Sequence, residues 1–132
     1  MENIFAGILL GHLTGDFLLQ PNKMAINKSK PTWEGFFWCT LHCLIYTTAV
    51  MLFLQSANPL VALLIFASHW PIDRYSLGGK WLKLIGSRDF IAEFSSKDQY
   101  RDINLGFAIL VYVVADNTMH LILMWLGVNW LL

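Results

Sequence analysis

The chain has 132 residues, enough for one domain, of which 56 % are hydrophobic and 14 % are charged. Soluble domains carry about 45–50 % apolar and about 25 % charged residues, so this composition disfavours an ordinary soluble domain and indicates a membrane protein. The formal net charge is zero, and no nucleic-acid partner is predicted.

Four apolar segments are predicted to be transmembrane helices. A helix that crosses a bilayer needs about 20 residues, with a usual range of about 17–25. The predicted spans are residues 3–20, 33–55, 60–75 and 103–126. The sequence therefore predicts an all-α, polytopic membrane protein with four transmembrane helices, folded as a single domain over residues 1–132.

Basic residues are confined to two regions of the chain. Three lie in the loop after the first predicted span: Lys23, Lys28 and Lys30. The other six lie at the cytoplasmic end of the third span or in the connection to the fourth: Arg74, Lys80, Lys83, Arg88, Lys97 and Arg101. The positive-inside rule places both regions in the cytoplasm of a bacterium, with an inner-membrane location and both termini outside. Within the cytoplasmic connection of residues 77–102, Lys80 to Ile85 is predicted to form a short amphipathic helix at the membrane surface. Ser96 to Gln99 is predicted to be a capping box near the start of the last helix.

Polar residues inside the predicted spans follow one spacing. Three aspartates each have a histidine four residues away, which puts both side chains on one face of a helix. A charged aspartate at the centre of a spanning helix costs about 2.5–3.5 kcal/mol, so these groups are expected to converge and compensate one another. The pairs are His12/Asp16, His69/Asp73 and Asp116/His120, and His42 is the remaining histidine.

This combination of side chains predicts a metal site. Imidazole and carboxylate are ligands of divalent ions, and a two-metal site built from them suits hydrolysis of phosphate or ester bonds. One or two zinc ions are preferred, with manganese or iron next. The predicted ligands are His12, Asp16, His42, His69, Asp73 and Asp116. In the predicted reaction Asp116 bridges two ions or acts as general base, and His120 is an outer ligand or acid. Four residues are predicted to orient the substrate or other ligands: Gln20, Asn117, Lys23 and Arg74.

The leading hypothesis from these residues is a metal-dependent hydrolase whose partners are membrane lipids, among them a lipid-linked anionic substrate. One alternative is a polar or proton-relay network in a channel, a transporter or a phage-borne factor that modifies the host envelope. Four short helices enclose too little volume for transport, so that alternative requires a homo-oligomer. Another alternative is a metal with a purely structural role. Gly7, Gly11 and Gly15 form a stripe that predicts a close-packing seam between helices.

The motifs resemble those of a small family of bacterial and phage integral membrane proteins that is defined as a domain of unknown function. The similar residues are His12-x-x-x-Asp16-Phe17-x-x-Gln20, Met24, Lys28, His42 and His69-x-x-Ile72-Asp73. Asp116-Asn117-x-x-His120 is similar to the last helix of that family, in which Asp-Gln is the more frequent pair. The chain is similar, more loosely, to membrane-bound metal-dependent hydrolases, and this likeness implies hydrolase chemistry by analogy.

Overall fold

The computed structural model describes residues 4–87 and 89–131, and these residues form an all-α fold. Asn3, where the first span was predicted to begin, and the basic Arg88 lie outside the described residues, as do the first two residues and Leu132. Within the described ranges there are seven α-helices, and a π-helical turn, Thr14–Leu18, continues the first one. The helices are α1 Ile4–Leu13, α2 Asn22–Asn27, α3 Trp33–Phe53, α4 Pro59–Tyr75, α5 Leu77–Leu84, α6 Phe90–Ser95 and α7 Arg101–Leu131.

Two of the described helices, α3 with 21 residues and α7 with 31, are long and apolar enough to cross a membrane. The prediction of four transmembrane helices is therefore wrong, whereas the prediction of an all-α chain is confirmed. The first apolar helix covers only Ile4–Leu18, and α4 has 17 residues. At about 1.5 Å per residue these two reach about 22–26 Å, which is short of a hydrocarbon core about 30 Å thick.

Local hydrogen bonds set the helix ends. The Thr32 hydroxyl accepts the Gly35 N–H at the start of α3, and the Asn58 side chain accepts the Leu60 N–H at the start of α4. A short helix does form where Lys80 to Ile85 predicted one, as α5. The predicted capping box does not form, because the Ser96 hydroxyl accepts the Asp98 N–H and α7 begins only at Arg101.

The four helices α1, α3, α4 and α7 pack as a ring in which each contacts two neighbours. Their inner faces bury one apolar core, formed by Ile8, Tyr46, Val50, Leu54, Val61, Ile65, Met124 and Val128. The glycine seam is confirmed, because a Cβ at Gly11 would lie 2.5 Å from the Val50 Cα and one at Gly15 would lie 2.6 Å from Tyr46 Cδ2. Only glycine lets α1 approach α3 this closely. The interior of the same ring also holds polar side chains from the predicted pairs and His42: His12, Asp16, His42, His69, Asp73 and His120.

Candidate metal centre

Three elements of the ring bring two histidines and two aspartates together. Asp16 lies in the π-helical turn, His42 lies near the middle of α3, and His69 and Asp73 lie one turn apart on α4. The side chains of His42 and His69 are fully buried, and those of Asp73 and Asp16 are 4 % and 12 % exposed. One ligand atom from each of the four residues lies within 4.8 Å of all the others.

Five of the six separations among these four atoms are close to those of a tetrahedral metal site. His42 Nε2 lies 3.0 Å from Asp16 Oδ1, 3.1 Å from His69 Nε2 and 3.1 Å from Asp73 Oδ2. His69 Nε2 lies 3.1 Å from Asp73 Oδ2 and 3.6 Å from Asp16 Oδ1. Zinc bonds of about 2.0–2.1 Å at tetrahedral angles separate the ligand atoms by about 3.3 Å. The four side chains therefore have the chemistry and the spacing to hold one divalent ion.

Asp73 also belongs to a second group of potential ligands. Its other oxygen, Oδ1, lies 3.5 Å from His120 Nε2, and His120 Nε2 lies 3.6 Å from Asp116 Oδ2. Asp73, Asp116 and His120 thus form a three-residue group that could hold an ion. Asp116 was predicted to bridge two ions, whereas the residue shared by both groups is Asp73.

With the four imidazoles neutral, as metal binding requires, the charges in this region do not balance without a further cation. Asp16, Asp73 and Asp116 contribute three negative charges when ionised, and the Lys28 ammonium contributes one positive charge, which leaves two negative charges. Lys28 Nζ donates to Asp73 Oδ2 at 2.6 Å. Burial lowers the pKa of Lys28, but the Asp73 and Asp16 carboxylates raise it by more, so the pKa lies above its usual value and Lys28 stays charged. One divalent cation would neutralise the remainder.

His12 occupies a different position from the one predicted for it, and the structure brings it into neither group. Its Nε2 lies 2.7 Å from Asn117 Oδ1, and its Nδ1 lies 2.7 Å from the Tyr46 hydroxyl. The Asn117 amide nitrogen donates to the Val113 carbonyl, so its oxygen accepts from His12 Nε2. The Tyr46 hydroxyl then donates to His12 Nδ1, and both nitrogens are engaged. Nδ1 also lies 3.3 Å from Asp16 Oδ2, but as an acceptor it has no proton to donate there. In this arrangement His12 reaches the four-residue group through Tyr46, whose ring stacks on His69.

Three stacked rings fix the orientation of His69 and His120. Tyr46 stacks on His69 with ring centroids 3.6 Å apart, and His69 stacks on His120 with centroids 4.1 Å apart. The rings come from α3, α4 and α7. The Nδ1 atoms of His42 and His69 have no hydrogen-bond partner among the described residues. Their Nε2 atoms, which point into the cluster, therefore make all the polar contacts of these two rings.

A cavity of about 220 Å³ adjoins both ligand groups. Asp16, Asp73 and Asp116 line it, and so do two of the residues predicted to orient a substrate, Gln20 and Asn117. The other two residues predicted for that role lie elsewhere. Lys23 sits over the Trp38 ring at 5.3 Å, and Arg74 donates to the Lys30 carbonyl at 2.6 Å.

Two contributors to the site are not among the predicted site residues. Lys28 is one of the basic residues that predict the topology, and it is also part of the motif that resembles the family. Tyr46 follows His42 by one helical turn and so shares its face. That spacing was the available signal for Tyr46.

The fold and the site define an all-α protein with two helices of membrane-spanning character and a buried His/Asp cluster that could hold a metal ion. A family model described as a protein of unknown function, DUF3307, matches residues 4–130, so the chain belongs to that family. The resemblance to a family of unknown function is thereby confirmed, and no membrane-hydrolase family is. No curated protein and no solved structure matches the chain.

Proposed function

We propose that this protein is a membrane-embedded, metal-dependent hydrolase that acts on a lipid or lipid-linked phosphate or ester. The observation that carries the proposal is the pair of ligand groups that share Asp73. Two-metal hydrolytic sites hold their ions about 3.5–4 Å apart, and a carboxylate that offers one oxygen to each ion suits that separation. The adjoining cavity gives a substrate access to three carboxylates of these groups, Asp16, Asp73 and Asp116.

The residues divide into binding and proton-transfer roles. Asp16, His42, His69 and Asp73 would hold the ion, which when bound supplies Lewis-acid activation of the substrate oxygen and of water. When the four-residue group alone is occupied, Asp116, which is 21 % exposed and lines the cavity, would take a proton from water as the water oxygen bonds to phosphorus or to the acyl carbon. His120, next to Asp116, would give a proton to the leaving alcohol oxygen as its bond breaks. Gln20 and Asn117 would orient the substrate.

Two helices, α3 and α7, support a bacterial inner-membrane location. Lys28 and Lys30 precede α3. By the positive-inside rule the N-terminal end of α3 faces the cytoplasm. Labelling of single cysteines in spheroplasts tests this orientation. A cysteine at Lys30 should resist an impermeant thiol reagent, and labelling of that position in intact spheroplasts would overturn the orientation.

Metal analysis tests the site itself. Protein purified without chelator and reloaded with zinc, manganese or iron(II) should retain one or two ions per chain. Asp73→Asn and His69→Ala should retain at least tenfold less, whereas Thr118→Ala, on an exposed face of α7, should retain the wild-type amount. Release of lipid phosphate or acyl products should stop after chelation and resume on reloading. A wild-type protein that retains none of the three metals would refute the site.

A metal-free polar network is the second candidate, and the Lys28–Asp73 ion pair at 2.6 Å is the observation that favours it. An ammonium group in contact with a buried carboxylate already supplies part of the compensation that a metal would give. In this case the cluster would relay protons or bind ions in an oligomer. The absence of retained metal in wild type would support this candidate, and metal retained without turnover of any lipid would favour a structural ion.

A further inference from the structure

We infer that a second cavity, beside α5, binds the phosphate headgroup of an anionic membrane lipid. The cavity has a volume of about 470 Å³ and is distinct from the one that adjoins the His/Asp groups. Binding of the lipid does not depend on the proposed function. Only the further step, in which the lipid bound here is the substrate, rests on it.

The lining of this cavity combines positive charge with apolar surface. Lys80 and Lys83 are three residues apart on α5, so they lie on the same side of that helix. Leu82 and Ile91 supply the apolar part of the wall. Asp89 also lines the cavity, but its Oδ1 accepts the Ile91 N–H at 2.9 Å and caps α6. Two ammonium groups beside an apolar wall suit a phosphate attached to acyl chains.

The surroundings of the cavity indicate that this phosphate belongs to a membrane lipid. Trp81, Leu84 and Ile85 on and just after α5 are more than half exposed, and so is Phe94 on α6. Exposed apolar side chains interleaved with lysines on a short helix are typical of segments that lie at the lipid headgroup level. In that position Lys80 and Lys83 face lipid phosphates directly.

The lipid-binding cavity adjoins the cavity at the His/Asp groups. Ser29, Ser76 and Tyr112 line both of them. Ser76 connects α4 to α5 with a φ of 49°, a left-handed conformation that is uncommon for residues other than glycine and that is often found at functional sites. A headgroup held by the lysines therefore lies next to the cavity that Asp73 and Asp116 line.

Native mass spectrometry of the detergent-solubilised full chain tests the inference. The probes are phosphatidic acid and phosphatidylcholine with the same two short acyl chains, and inorganic phosphate as competitor. Wild type should prefer phosphatidic acid. Loss of one lysine at a headgroup site weakens binding about fivefold, so K80Q/K83Q should bind it about 25-fold more weakly. K30Q/K97Q removes the same charge outside the cavity and should stay within twofold of wild type.

Four outcomes would overturn the inference: equal binding of the two lipids by wild type, equal affinity in wild type and K80Q/K83Q, an equal loss in K30Q/K97Q, or displacement of the lipid by an equal concentration of inorganic phosphate. Circular dichroism confirms that each variant is folded. Metal content, measured on the same samples, separates this inference from the proposed function. Absent lipid preference with metal retained refutes the inference alone, and lipid preference with no metal retained refutes the metal centre alone.

Discussion

Replacing Gly11 with alanine should separate two predicted ligands of the metal centre, Asp16 and His42, although Gly11 is not itself part of the site. The new Cβ would lie 2.5 Å from the Val50 Cα, whereas carbon atoms in contact lie about 3.5–4.0 Å apart. Because the obstacle is backbone, α1 must move away from α3 by about 1 Å. Asp16 follows α1 in the chain, so its 3.0 Å separation from His42 Nε2 would grow toward about 4 Å. That exceeds the about 3.3 Å that a tetrahedral ion allows between ligand atoms.

The expected effects are a loss of stability of about 1–3 kcal/mol, as for other overpacked cores, and a loss of metal affinity of about 10–100-fold. Thermal unfolding in detergent and metal retention after gel filtration measure the two effects. Gly106→Ala is the matched control, because a Cβ at Gly106 on α7 meets nothing within 4 Å. Alanine there should leave metal retention unchanged and, through its higher helix propensity, should not lower the melting temperature.

Two results would refute this reasoning. If Gly11→Ala melts and retains metal as Gly106→Ala does, then α1 does not set the position of Asp16. If Gly11→Ala loses stability but keeps full metal affinity, then Asp16 does not belong to the ligand set. The second result would leave the packing argument intact and would remove Asp16 alone.

Three further predictions address other parts of the site. His42→Ala should abolish metal retention at the four-residue group, whereas His12→Ala should lower affinity by only about 10–100-fold, because His12 holds Tyr46 against His69 and belongs to neither ligand group. Equal losses in the two variants, measured by metal titration, would make His12 a ligand. Gly78→Ala should weaken metal binding, because its Cβ would lie 2.5 Å from Asp116 Oδ1. A Cβ at Gly79 would meet only Tyr112, at 3.5 Å, so Gly79→Ala should retain metal as wild type does. Equal metal retention in the two variants would refute the role of Asp116. Bound metal should fall as the pH drops below about 6, because imidazole must be neutral to bind a metal; retention that stays constant from pH 8 to pH 4.5 would contradict histidine ligation.

The sequence predicted the positions of the long helices and the convergence of the His/Asp pairs, because both depend on spacing along one helix. The spans predicted at α1 and α4 were wrong. Residues 60–75 already fall short of a usual span of about 17–25 residues, and α4 covers nearly the same stretch. At α1, a count of apolar residues includes a side chain beyond the last helical turn, Leu19 after the π-helical turn. Helix ends depend on local hydrogen bonds at residues such as Thr32 and Asn58, which the count ignores.

The division of roles among the histidines could not be predicted from spacing. The i,i+4 rule places His12 and Asp16 on one face, but Tyr46 and Asn117 come from α3 and α7, and only the packed ring shows that they engage both nitrogens of His12. The position of Lys28 has the same origin. It reaches Asp73 because α2 folds back onto α3, which is a contact between elements distant from Asp73 in the chain.

The π-helical turn at Thr14–Leu18 constrains how this family can vary in length. The Leu19 N–H bonds to the Thr14 carbonyl, five residues earlier, so the turn holds one residue more than an α-helical turn would. Deleting that residue would leave a regular α-helix but would rotate everything after it by about 100°. Gln20 and Lys28 would then leave the cavity, and depending on which residue is removed so would Asp16. Insertions and deletions within α1 and this turn should therefore be selected against more strongly than substitutions at its exposed positions, such as Leu18.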